Sequence, residues 1–210
     1  MLDNIPVVYE DEALLIVNKP PGLLTTGEQD PARRHLTLIL NEDARQTGRP
    51  YRLYPCHRLD RETSGLVIYA KDKAVQQRMM EMFKKHLIRK TYRAFAHGRL
   101  EQDKGVIRTP IEGKNAVTYF TVVKRCSEYT VIDVQPETGR KNQIRLHFKS
   151  IGHPLVGESK FVFRKDYSLR ARRLCLHAGS LAFAHPVSKH HVLVRCDLAR
   201  DMEKFQLEHA

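Results

Sequence analysis

The chain has 210 residues, of which 41% are apolar and 29% charged, a balance that excludes a disordered or collagen-like polymer and allows a sizeable core. Lysine and arginine number 36 against 24 aspartates and glutamates, a formal charge of +12 that suits either a polyanionic partner, nucleic acid first among them, or simply a basic soluble enzyme. No apolar run approaches the roughly 18 residues of a membrane-spanning helix, and MLDNIPVVYEDE lacks the basic and apolar regions of a secretory signal.

Two apolar, β-branched runs at 5–9 and 13–18 flank acidic turn residues and predict a hairpin. Pro20, Pro21 and Gly22 then break regular structure, and 36–44 suits a short helix. GLVIYAK at 65–71 is a strand. Asp72 can cap a helix over 73–87, where Val75, Met79, Met82 and Phe83 share one face. Residues 90–97 resume strand alternation, and 117–124 and 129–135 form another strand pair. Residues 143–150 suit a helix stopped by Gly152 and Pro154. Strands at 174–184 and 191–196 and a helix at 199–207 close the chain. Strands arrive in neighbouring pairs, not in regular alternation with helices. The expected class is therefore α+β, with a mixed, largely antiparallel sheet and flanking helices. No repeat or linker divides the sequence, so residues 1–210 are expected to form a single domain.

Cys56, Cys126, Cys175 and Cys196 are scattered, as suits reduced thiols in a cytoplasmic protein. GxGxxG, GxxxxGK[ST], HExxH and GxSxG are all missing from the sequence. The adjacent pair His190 and His191 has no cysteine or acidic ligand at metal spacing and reads as solvated. Chemistry by side chains, with no cofactor and no metal, is the expectation.

Two segments are dense in reactive residues. In YPCHRLDRETSG (54–65), Asp60 sits between Arg58 and Arg61, cations that favour its ionised form. It could act as nucleophile or base, or be an ordinary ion-paired turn. In PETGRKNQIRLH (136–147), a Thr-Gly turn leads into a short helix carrying Arg140 and Arg145. Such groups suit a phosphate or a carboxylate, or simply a basic helix.

HRLDRETSG (57–65), followed by its apolar strand, resembles the signature of the RluA-type pseudouridine synthase family. Further resemblances follow in the family's order: NKPPGLL (18–24), RKTYRAFAHG (89–98), PETGRKNQIRLH with GHPLVGE (152–158), and LCLHAGSLAFAHP (174–186). Together they span nearly the whole chain. The resemblance implies the pseudouridine synthase fold and isomerisation of uridine to pseudouridine in structured tRNA or rRNA, without a cofactor. It implies that Asp60 is the catalytic aspartate, that Tyr92 stacks on the uracil, and that Arg145 pairs with the aspartate through its bidentate fork. Arg58 is implied to enter the space left by a flipped base, with Lys19, Arg61 and Arg140 also meeting RNA. A monomer with no membrane partner is implied as well. Basic runs at 33–34, 84–85, 89–90 and 164–173 could add phosphate contacts.

The sequence departs from the family pattern at three positions. Asn142 stands where histidine is usual, Glu158 where aspartate is usual, and Phe161 where tyrosine is common. All three are expected to be supporting positions. Seventeen residues precede Asn18, so no S4-type RNA-binding domain is expected before the catalytic motifs. Two other classes are weighed against the isomerase: an RNA-binding protein that has lost catalysis, and a hydrolase using His57 as base.

Overall fold

Ten strands and four helices order the computed structural model, which describes residues 5–27, 34–162 and 167–209. The chain divides into two units, 1–88 with 180–197, and 89–179 with 198–210, so it passes between them three times. No helix among the described residues is long and apolar enough to cross a membrane.

The first unit is built around two strands that are buried along almost their whole length. β1 (Val7–Glu10) pairs antiparallel with β2 (Leu14–Lys19). α1 (Leu36–Gln46) and the short β3 (Tyr54–Pro55) follow, and β4 (Ser64–Ala70) pairs antiparallel with both β2 and β3. Such continuous apolar strands are covered on both faces. α2 (Lys73–Lys84) begins at Asp72, whose carboxylate accepts the Val75 N–H at 2.8 Å. Val75 and Met79 pack on Leu66 and Ile68, in one cluster with Leu181, Phe183, Val192 and Val194. The expected helix runs to 87, but α2 ends three residues earlier. His86 adopts a left-handed φ of 57°, while Leu87 N–H bonds the Met82 carbonyl and His86 N–H that of Phe83. That pattern closes the helix as a Schellman motif, without the glycine that normally announces one.

The second unit carries the antiparallel order β5-β8-β7-β6, with β5 (Arg89–His97), β6 (Lys104–Ile107), β7 (Thr118–Arg125) and β8 (Tyr129–Pro136). Period-two alternation assigns its two faces. Ala94, Ala96, Ile132 and Val134 pack with Ile144 and Phe148 of α3 (Gln143–Ser150). Phe95, Tyr129 and Val131 pack with Met202 and Phe205 of α4 (Arg200–Glu208). β9 (Leu176–Ala184) starts in this unit and ends in the first, where it pairs antiparallel with β10 (His191–Arg195).

Thus the expected α+β class with a largely antiparallel sheet is the one found. Two strands escape the sequence. β3 is only two residues long, and β6 (KGVI) has no apolar alternation. β6 depends on a close approach: a Cβ on Gly105 would lie 2.6 Å from the Phe120 ring.

Candidate active site

The loop between β3 and β4 carries Asp60, and the backbone on each side of that residue is tied down. Leu59 is buried; its N–H donates to Thr25 Oγ1 at 3.1 Å, and its carbonyl accepts from the same hydroxyl at 3.0 Å. The Thr25 carbonyl accepts the Thr37 hydroxyl at 2.8 Å, and that hydroxyl shares a 3.0 Å hydrogen bond with Tyr69 OH. Asp60 carbonyl accepts from Thr63 N–H at 3.1 Å, forming a tight turn. Arg61 carbonyl accepts Gly22 N–H at 2.8 Å and Lys19 Nζ at 3.2 Å. Gly22 has a φ of 83°, a conformation open to glycine. The loop is therefore held through its main chain; Asp60 is half-buried, and its sequence neighbours Arg58 and Arg61 are exposed.

Lys19 departs from its expected role. Its side chain is fully buried, and Nζ donates to the carbonyls of Pro20 and Leu23 at 3.0 and 2.8 Å as well as to Arg61. A buried ammonium bonded to main-chain oxygens cannot also meet a phosphate; here it joins the NKPPGLL segment to the Asp60 loop. Arg61 remains exposed, with Nε bonded to the Gly22 carbonyl at 3.0 Å. His57 accepts the Ile68 N–H on Nε2 at 3.1 Å and packs on Phe83 at 4.8 Å. An imidazole nitrogen whose lone pair is so engaged is not a general base, which removes the footing of the hydrolase alternative.

In the second unit Tyr92 lies on β5 opposite Val134, half-buried against the α3 core. Arg145 lies on α3 and is buried. Its expected bidentate fork is made, but with Glu158: Nε to Oε2 at 2.6 Å and Nη2 to Oε1 at 2.7 Å. Nη1 reaches Asn142 Oδ1 at 3.2 Å, and the guanidinium carbon lies 4.9 Å from the Phe161 ring centre. All three positions that depart from the family pattern therefore touch Arg145 directly. Burial alone would raise the Glu158 pKa; hydrogen bonds from Arg145 and the Lys160 N–H, with the Arg145 charge, bring it below the usual carboxylate range. Asn142 has a left-handed φ of 55°, which asparagine tolerates better than most residues.

Gln143 is a residue that sequence reasoning missed. Its amide oxygen accepts from Thr138 Oγ1 and Arg140 N–H at 2.7 and 3.0 Å, and its nitrogen donates to Val117 O and Thr118 Oγ1, both at 2.9 Å. It pins the start of α3 to β7. Its place beside Arg145 in NQIR was the available signal. Arg140 is exposed, with Nε on the Asn115 carbonyl at 3.1 Å.

Among the basic runs, Lys84 and Lys85 are exposed, whereas burial lowers the Lys90 pKa. Arg173 is engaged with Asp201 at 2.5 and 2.7 Å. Arg33 and residues 164–166 of the last run lie outside the described residues. His190 shares a 2.6 Å hydrogen bond with Ser188 Oγ and stacks on His185.

Comparison with known proteins identifies the family. The sequence model of the RNA pseudouridylate synthase family matches residues 13–150, a span that includes Asp60, Tyr92 and Arg145. The dual-specificity RNA pseudouridine synthase RluA of Vibrio cholerae is 34% identical over 98% of this chain and 88% of its own length. The tRNA pseudouridine synthase C of the same organism is 31% identical over 92% of this chain and 91% of its own. The solved structure of human RNA pseudouridylate synthase domain containing 4 shares the fold, with a TM-score of 0.79 at 22% identity, over 96% of this chain and 93% of that one. The chain belongs to the RNA pseudouridine synthase family, isomerases that convert uridine in RNA to pseudouridine.

Proposed function

We propose that this protein isomerises specific uridines in structured tRNA or ribosomal RNA, with Asp60 as the catalytic carboxylate. The observation that carries the assignment is the Asp60 loop, whose main chain is bonded at Leu59, Asp60 and Arg61 while Asp60 itself stays half-buried. Relatives named for tRNA and for dual-specificity modification support the substrate class.

In the reaction the bond from the ribose to uracil N1 breaks and a bond from the ribose to C5 forms. C5 loses its proton and N1 gains one, so the change is redox-neutral. Asp60 acts on the ribose, by attack at the anomeric carbon or by removing the 2′ proton. A base in a folded RNA must leave its stack, at a cost of a few kcal/mol. Stacking of Tyr92 on the uracil and insertion of Arg58 into the vacated space offset part of that cost. Arg145 belongs to the same catalytic set, and exposed Arg61 and Arg140 contact the RNA backbone.

The two units form one catalytic domain, a proposal supported by the three passages of the chain between them. We place the enzyme in the cytoplasm, as a monomer without a membrane partner. The inactive alternative drew on Asn142 and Glu158, and both are now accounted for as partners of Arg145.

The test is to map pseudouridine in total RNA from cells with the gene, without it, and with Asp60→Ala in its place. The expected result is a set of positions lost in both deficient strains. Full modification in the Asp60→Ala strain would overturn the assignment.

A further inference from the structure

A cleft of about 620 Å³ in the first unit is lined by α1 and the segment that follows it, including His35, Arg45, Arg49, Tyr51 and Arg52. Among the described residues, none that lines it is acidic. Its volume falls in the range of sites that hold a nucleotide-sized group. Its shape is fixed by Asn41, which accepts the Leu53 N–H at 2.8 Å and donates to the Leu53 carbonyl at 3.0 Å. Arg49 N–H bonds the Ala44 carbonyl at 2.8 Å, folding the segment back on the end of α1. Two ties to the helix thus set this wall before any ligand arrives.

The charges of the cleft are unequally engaged. Arg49 bonds Glu10 at 3.2 Å and Tyr51 OH at 2.7 Å, and Glu10 also receives Lys71 at 2.8 Å. The carboxylates that act on Arg49 are Glu10 and Asp43. Arg45 and Arg52 are exposed, and among the described residues neither is in an ion pair; Arg52 only lies 5.8 Å from the Tyr54 ring. His35 accepts the Leu38 N–H on Nδ1 at 3.2 Å, so its neutral ring carries the proton on Nε2 and is a donor. Among the described residues, the cleft therefore presents guanidinium groups and an imidazole N–H that no lining carboxylate neutralises. Planar guanidinium groups match phosphate geometry.

We infer that this cleft is an accessory RNA site, taking a phosphodiester segment of the substrate other than the target nucleotide. The inference rests on the RNA-modifying function proposed above and adds residues to it. RNA is favoured over an acidic peptide because the chain's charge of +12 matches a continuous polyanion.

The test compares wild type with the double variant Arg45→Gln, Arg52→Gln. Binding of a substrate tRNA transcript is measured by filter retention across 50–200 mM KCl, together with pseudouridine yield under saturating RNA. The expected result is weaker binding at every salt concentration and a slope of log K against log salt reduced by about 2, one per phosphate contact. KM should rise, with kcat and thermal midpoint unchanged. The Arg45→Lys, Arg52→Lys variant should restore the salt slope. Unchanged affinity and slope in the glutamine variant would overturn the inference, as would loss of polyglutamate binding with RNA binding intact. If wild type forms no pseudouridine, the catalytic proposal fails by itself, because the binding comparison is read independently.

Discussion

The loop carrying Asp60 and the helix carrying Arg145 are held by opposite means. Around Asp60 the ties are main-chain carbonyls and N–H groups, met by the Thr25 hydroxyl, Gly22 and the Lys19 ammonium. Around Arg145 the tie is a buried ion pair with a side chain, Glu158, whose own surface is entirely covered. The first arrangement fixes a backbone and leaves the carboxylate half-exposed. The second fixes a charge and is costly unless every polar atom is matched. The carboxylate proposed to act on RNA is thus carried on a pinned loop, while the Arg145 guanidinium is built into a helix.

Removing Asp60 itself should have the largest effect. Asp60→Ala is expected to lower the rate of pseudouridine formation by about 10³-fold or more, in the range of lost nucleophilic or acid–base catalysis. Urea unfolding should change little, because the loop is held by backbone bonds. Collapse of the fold in this variant would erase the contrast between the two regions.

Glu158→Gln comes next. It leaves the Arg145 charge buried and uncompensated, with an expected loss of about 3–5 kcal/mol in urea unfolding. The pH dependence sharpens the point. The folded Glu158 pKa lies below its unfolded value, so its contribution is complete above the ordinary carboxylate range and disappears as pH falls through the folded value. Wild-type stability should therefore drop with acidification more steeply than that of Glu158→Gln. Parallel acid profiles would show that the pair is not the source.

A smaller effect is expected at Thr25. Thr25→Val removes both bonds to Leu59 and should cost about 1–3 kcal/mol as two buried polar groups lose their partner. kcat should fall more than KM rises, and Thr25→Ser should recover most of both. Equal loss in the serine variant would implicate the methyl group and its packing instead. The smallest change belongs to His57→Gln, where the pH profile of kcat should keep its shape. Disappearance of a pKa near 6–7 would return the histidine to the chemistry.

Much of the fold was legible because its signals are local. Asp72 as a cap, the alternation along β5 and β8, and the Val75, Met79 stripe are each written within a few residues. The misses are non-local or weakly encoded. β6 needs Phe120 against Gly105, and α2 stops at a left-handed histidine that no glycine marks. At the site, Asp60 stood out by its motif, whereas Gln143 looked like one more polar residue until four hydrogen bonds converged on it.

By itself the sequence determined the class, the order of nearly every element and the family, through periodicity, caps and short motifs that act between near neighbours. Only the tertiary structure decided who meets whom. It buried Lys19 under the Asp60 loop, 42 residues away from its Arg61 partner, and gave Arg145 to a glutamate 13 residues on. Such pairings depend on where folding brings chain segments together, and on which charges lose their water there; neither is written in local spacing.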